Sequence, residues 1–343
     1  MLARSMSRVV TVDSGSPDPA VIADAARVLR SGELVAFPTE TVYGLGARGL
    51  SPEAVEKIFA AKGRPSTHPL ILHVCGEDDA RPLILGDPPE RVRALMRACW
   101  PGPLTLVVKK SARVPHAVTG GGETVALRSP DHPVAQALIR ALGEPIAAPS
   151  ANRYQTLSPT TAAHVQKSLG DAVALVLDGG ACTAGIESTV LDLSSAVPRV
   201  LRPGAMPLAQ LRALLPELVF EPDVVVTGDL PHLSPGQDAR HYAPRARVSL
   251  TRAGQSVKDV VTLVRAGATD ARIGVLSWGS DAWDHAHVVP LPDDPEGYGR
   301  GLYAALHALD DQGVDVIVVQ AVPDGEAWAG VRDRLHRAAK EKT

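Results

Sequence analysis

Aromatic residues make up only 3% of the 343 residues, so any core must rest on Val, Leu, Ile and Ala. Cysteine is just as sparse. Cys75, Cys99 and Cys182 are widely spaced and form no C-x-x-C pair, which argues against a disulfide framework or zinc ribbon and fits three reduced thiols. No apolar run approaches the roughly 18 residues of a membrane helix. Residues 1–12 hold two arginines but neither an apolar stretch nor a small-residue cleavage pattern, so the expectation is a cytoplasmic protein with no membrane partner. A basic excess is missing too. The net charge of −3 disfavours extended duplex binding, which rests on phosphate contacts, and leaves room for a local basic pocket and weak RNA binding at most. There is no G-x-x-x-x-G-K-[ST] loop and no G-x-S-x-G elbow. His285-x-His287 lacks a third ligand at metal spacing, so no protein metal site is expected.

What remains is ordinary globular material, 45% apolar and 21% charged, in a length that predicts two domains. Helical periodicity marks 18–30, stopped at Gly32, and 51–62, capped by Ser51-Pro52 and ended at Gly63. Short apolar strands are predicted at 33–37, 70–74, 104–109, 124–128, 146–148, 174–177, 189–193 and 200–201, with helices at 89–100, 133–142 and 160–169 between them. Their mixed spacing predicts a mixed sheet with helices packed on it. After Arg202-Pro203-Gly204 a short helix leads into a segment rich in Pro, Gly, Asp and His up to about 244. From 248 strands and helices alternate, which predicts a small α/β domain with a parallel sheet.

Gly44-Leu45-Gly46-Ala47-Arg48-Gly49 matches G-x-G-x-x-G, but Pro38 to Tyr43 separate it from the preceding strand and no acid follows at the required distance. Its glycines are read as permitting a tight loop. Pro38-Thr39-Glu40-Thr41 follows a buried strand directly, and offers hydroxyls and a carboxylate to a polar ligand or forms a plain polar turn. Lys62-Gly63-Arg64 ends a helix, where cations also complement the macrodipole. Lys62, however, falls on the stripe of Val55, Ile58 and Phe59, which aims its ammonium at the sheet, and a buried cation needs a partner such as an anionic substrate. Arg128 closes a buried strand and is either a ligand clamp or half of a structural ion pair. Ala148-Pro149-Ser150-Ala151-Asn152 is a strand running into a loop of small residues, which let a ligand approach the backbone closely, and Glu187-Ser188-Thr189 and Arg202-Pro203-Gly204 repeat the theme of strand edge, hydroxyl and cation.

Taken in order with Trp100-Pro101-Gly102-Pro103-Leu104-Thr105 and His241-Tyr242-Ala243-Pro244, these segments resemble the L-threonylcarbamoyladenylate synthases in their long form. The resemblance spans nearly the whole chain. It implies an α/β fold: a twisted, mixed-sheet YrdC-like catalytic domain over 1–206, a linker or lid over 207–246, and a smaller Rossmann-like α/β domain over 247–343. It implies that L-threonine, bicarbonate and ATP, the last with Mg2+, are joined into threonylcarbamoyl-AMP with release of pyrophosphate. The product would pass to the tRNA threonylcarbamoyl transferase machinery for N6-threonylcarbamoylation of adenosine 37 in tRNAs reading ANN codons.

By the same resemblance, threonine would be held by Thr41, His73, Arg128, the backbone of Ala148, and Ser188. ATP would be held by Arg64, His68, Thr124, Ser150, Ser158 and Arg202, with Asn152 supporting the loop and Lys62 and Arg64 neutralising phosphate charge. The lid would add His241, Tyr242 and the position of Ala239. There the chain reads Gln237-Asp238-Ala239-Arg240, so a tyrosine contact found in relatives does not carry over as a side-chain contact. Two other readings are kept: a hydrogenase-maturation carbamoyltransferase, which would add an acylphosphatase-like domain and C-x-x-C motifs that this chain lacks, and a double-stranded RNA-binding module.

Overall fold

The computed structural model describes residues 7–221, 241–252, 254–278 and 287–340. Gln237 to Arg240, including Ala239, and His285 lie outside the described residues, as does Ser234-Pro235-Gly236. The chain divides into two compact units: 1–154 with 158–237, and 155–157 with 238–343.

The first unit is built on one ten-stranded mixed sheet. Its strands are β1 (Arg8–Thr11), β2 (Val35–Phe37), β3 (Gly44–Arg48), β4 (Ile71–His73), β5 (Leu104–Lys109), β6 (Thr124–Arg128), β7 (Ile146–Ala147), β8 (Leu175–Asp178), β9 (Thr189–Asp192) and β10 (Arg199–Arg202), in the order β1-β8-β2-β3-β7-β4-β6-β5-β9-β10. The sheet is mixed as expected, with β4 parallel to β6 and β5 antiparallel to it. The helices Pro19–Arg30 and Pro133–Leu142 cover one face, where Ala25, Leu29, Leu138 and Ile139 meet Val35, Phe37 and Leu177.

Two strands of the first unit depart from the sequence reading. β1 went unforeseen, because its alternation is too short to stand out. The glycine-rich stretch is a strand, β3, rather than a tight loop. Its glycines answer to lateral crowding: a Cβ on Gly46 would lie 2.8 Å from Phe37 Cε1 and 3.1 Å from the Val35 carbonyl oxygen. The strand exists because neighbouring side chains close over a bare backbone, a tertiary cause that propensity cannot report.

The second unit carries β11 (Arg247–Leu250), β12 (Ile273–Trp278), β13 (His287–Leu291) and β14 (Val316–Val319), all parallel, in the order β11-β14-β12-β13. The helix Val257–Gly267 begins with a capping box, Ser256 and Asp259, and packs Val257, Val260 and Val264 on Ile273, Val275, Val316 and Val318. The helix Pro295–Asp311 lies on the other face, where Leu309 sits against Gly274. The helix Ala329–Ala338 packs beside it. Among the described residues, no helix is long and apolar enough to cross a membrane.

Candidate active site

Strand pleating builds the floor of the site. In β6 the side chains of Thr124, Ala126 and Arg128 share one face. The register of β4 and β6 pairs Ile71 with Ala126 and His73 with Arg128, and that of β5 pairs Val107 with Ala126, so these residues join the same face. Ile71, Val107, Ala126 and Val190 form a small apolar cluster there. The floor is thus apolar in the middle and polar at its ends. His73 and Arg128 stand at one end and Thr124 at the other, about 13 Å away along β6.

At the Arg128 end the polar groups are buried and only partly satisfied. Arg128 Nη2 lies 2.7 Å from Glu40 Oε1, close enough for an ion pair. The angle is too poor for a hydrogen bond, so Arg128 Nε and Nη2 and both Glu40 oxygens are left without one. His73 Nδ1 is equally without a partner. Thr39 donates to the Val42 carbonyl at 2.6 Å and its Oγ1 lies 2.9 Å from Thr41 Oγ1, fixing the turn that follows β2. The Ala148 amide donates to the Ile71 carbonyl at 3.0 Å.

Burial, and secondly the Arg128 charge, push the His73 pKa down to about 3. Between pH 6.5 and 3 the unfolded chain therefore binds a proton that the folded chain refuses. The contribution is full above pH 6.5 and is lost toward pH 3 at up to about 1.4 kcal/mol per unit. Denaturant titrations at pH 7 and pH 5 should show this acid loss in the native protein and a smaller one in His73→Asn. Equal losses would contradict the assignment.

Along the neighbouring edge, Thr105 Oγ1 lies 2.8 Å from Ser188 Oγ. Arg202 donates to the Ser188 carbonyl through Nη2 at 2.9 Å and to Ser188 Oγ at 3.2 Å. Ser158 donates to Glu187 Oε1. At the far end Arg64 Nη2 donates to the Pro69 carbonyl at 3.1 Å, and the His68 ring meets the Tyr154 ring edge-on with centroids 5.6 Å apart. Gly120 lets this turn close: its φ is +59°, and a Cβ would fall 2.1 Å from the Thr67 carbonyl oxygen.

Lys62 is 3% exposed, as its place on the helix stripe predicts. Its ammonium donates to two backbone carbonyls, Ser150 at 2.6 Å and Asn152. The Leu45 amide donates to Pro149 and the Ala151 amide to Tyr43, so the 149–152 loop is clamped between the helix end and β3. Burial, and secondly Arg64, hold the Lys62 pKa well below that of an ordinary lysine.

The Lys, Arg, Asp and Glu side chains buried in the described part of the first unit are the four basic residues Lys62, Arg64, Arg128 and Arg202, against the acids Glu40, Glu187 and Asp192. All four cations are residues singled out in the sequence. Asp192 is taken by Ser194. The balance beside the floor is positive, and a buried positive excess calls for an anionic ligand. Sequence reasoning missed Glu40 as the partner of Arg128 and Thr105 as the support of Ser188, although both lie inside the quoted motifs. Nothing local in the sequence reveals such cross-sheet pairs.

His241 and Tyr242, expected to form part of a lid, belong to the second unit. His241 donates its amide to the Arg337 carbonyl at 3.4 Å. Tyr242, at φ +59°, is buried, with the Arg334 guanidinium 5.1 Å from its ring centroid and Tyr303 at 6.0 Å.

Comparison with known proteins finds matches along most of the chain. A family profile described as "Telomere recombination" matches residues 27–204, and one described as "Threonylcarbamoyl-AMP synthase, C-terminal domain" matches residues 207–340. The threonylcarbamoyl-AMP synthase of Bacillus subtilis is 40% identical over 337 residues, covering 96% of each chain. That of Pyrococcus abyssi is 39% identical over 320 residues, covering 92% of this chain and 93% of its own. The crystal structure of P. abyssi Sua5 complexed with L-threonine matches with a TM-score of 0.90 at 39% identity, over 97% of this chain and 98% of that one. With both units matched, and with the motif cations gathered at one site, the chain belongs to the threonylcarbamoyl-AMP synthase family.

Proposed function

We propose that this chain joins L-threonine, bicarbonate and ATP into threonylcarbamoyl-AMP at the site on the β4–β6 floor. The product serves N6-threonylcarbamoylation of adenosine 37 in tRNAs reading ANN codons, by transfer to the tRNA threonylcarbamoyl transferase machinery. The observation that carries this reading is the set of four buried cations around an apolar floor with unsatisfied groups at one end.

Threonine fits that end. Its carboxylate takes the Arg128 donors, its ammonium takes the freed Glu40 carboxylate, and its hydroxyl reaches Thr41 or the neutral His73. The Ala148 carbonyl and Ser188 close the pocket. ATP, as its Mg2+ complex, lies toward Arg64, His68 and Thr124, with Ser150, Asn152, Ser158 and Arg202 along its length. Lys62 acts through the loop it clamps and adds positive charge beside the phosphates.

The chemistry asks for positioning more than for covalent catalysis. The threonine ammonium loses a proton and the free amine attacks carbon dioxide or bicarbonate; from bicarbonate, water leaves. A carbamate oxygen then attacks the α-phosphorus, the bond to the β-phosphate oxygen breaks, and pyrophosphate departs. Cations held in place at that point stabilise the developing charge without reorganising.

Purified protein should release pyrophosphate from ATP only when threonine and bicarbonate are both present. Release that is indifferent to threonine would overturn the synthase reading.

A further inference from the structure

The second unit has a cavity of its own, and nothing in the reaction above uses it. In its sheet the chain runs from β11 over β14 to β12 through the helix Val257–Gly267 on one face, and leaves β14 for the helix Ala329–Ala338 on the other. The loops that leave the neighbouring carboxyl ends of β11 and β14 therefore part to opposite faces. In an open parallel sheet such a point of divergence forms a crevice suited to ligands. Here a cavity of about 570 Å3 occupies it, lined from the ends of β11, β12 and β14 and from the last helix. That volume suits a small organic ligand.

The chemistry of its lining is specific. Arg252, just beyond β11, is exposed, and no bond of its guanidinium to a described residue restrains it. Arg332 uses Nη1 on the Pro323 carbonyl at 3.1 Å and the Gly325 carbonyl at 3.4 Å, which leaves Nε and Nη2 available. Thr251 is 5% exposed; its Oγ1 accepts from the Ala321 amide at 2.9 Å and its hydroxyl proton has no acceptor among the described residues. The Trp278 indole N–H is spent on the Ala321 carbonyl at 3.2 Å, so what the half-buried side chain offers a ligand is its ring. His336 adds a further nitrogen, and Asp324 is the one acid among the described residues of the lining. Two guanidinium forks, a buried hydroxyl donor and an aromatic face make a site for an anion that also carries a flat ring.

We propose that this cavity binds a nucleotide, with its phosphate on Arg252, Arg332 and Thr251 and its base against Trp278, separately from the ATP consumed in the first unit.

Equilibrium dialysis of the full chain against labelled ATP tests this. The native protein should retain two nucleotides per chain and Arg252→Ala/Arg332→Ala one, with threonine-dependent pyrophosphate release unchanged. The Arg64→Ala/Arg202→Ala protein should still retain one, lost by at least tenfold in affinity when the two second-unit substitutions are added. AMP should displace that nucleotide; displacement by inorganic pyrophosphate or phosphate at equal concentration would make it a bare phosphate site and overturn the nucleotide assignment. A single nucleotide on the native protein, or two on Arg252→Ala/Arg332→Ala, would also overturn it. Two nucleotides on Arg64→Ala/Arg202→Ala would instead overturn the placement of ATP in the first unit.

Discussion

Arg128→Ala should raise the L-threonine concentration for half-maximal pyrophosphate release by about 30- to 3,000-fold, because truncating one partner of a buried charge pair costs about 2–5 kcal/mol. The KM for ATP should change little, since Arg64 and Thr124 lie at the other end of the floor. The substitution also strands Glu40, whose oxygens have no hydrogen bond even with Arg128 in place. An uncompensated buried carboxylate costs about 3–5 kcal/mol of stability. Adding Glu40→Gln should return part of that stability while threonine binding stays lost. Steady-state kinetics in each substrate, with denaturant titrations, separate the two effects. A threonine KM within threefold of native in Arg128→Ala would remove Arg128 from the substrate site. Lysine at this position should not rescue, because the planar fork that meets a carboxylate with two parallel bonds is lost.

The second large effect is expected at Lys62. Methionine fills the space of the lysine stem but leaves the Ser150 and Asn152 carbonyls without their donor. Bonds from a charged donor contribute about 1.5–3 kcal/mol each, so Lys62→Met should lose about 3 kcal/mol or more of stability. Its activity loss should fall on the ATP side, as a KM for ATP raised at least about tenfold, with threonine affinity less affected, because the loop it clamps carries Ser150. A Lys62→Met protein with native melting behaviour and native ATP dependence would show that the clamp is dispensable. In the proposed function the motif divides its work: Arg64 would offer charge to the ligand, while Lys62 holds the Ser150 and Asn152 carbonyls of the neighbouring loop.

Three of the four buried cations were legible in the sequence because each breaks a local pattern. Lys62 interrupts an apolar helix stripe, while Arg128 and Arg202 close apolar strands, and a charge in such a place needs a reason. The mixed sheet of the first unit and the parallel sheet of the second followed from the spacing of short apolar runs. What escaped was set by distant neighbours. β3 reads as a glycine loop until Phe37 and Ile146 close on Gly46. Glu40 reads as a polar turn residue until β6 brings Arg128 beside it. β13 was hidden because its own residues alternate weakly, and only the register with β12 makes it a strand.

The edge of the first sheet also sets a timetable. β1 runs parallel to β8, and the Ser14 hydroxyl donates to the Gly179 carbonyl 165 positions further along the chain. A ribosome adding about 5–20 residues per second needs roughly 10–30 s to make that stretch. Throughout that interval β1 lacks β8, the strand it pairs with among the described residues. β1 is thus made well before the strand that seats it, and nascent chains should hold it accessible to protease until residues beyond 179 have left the exit tunnel.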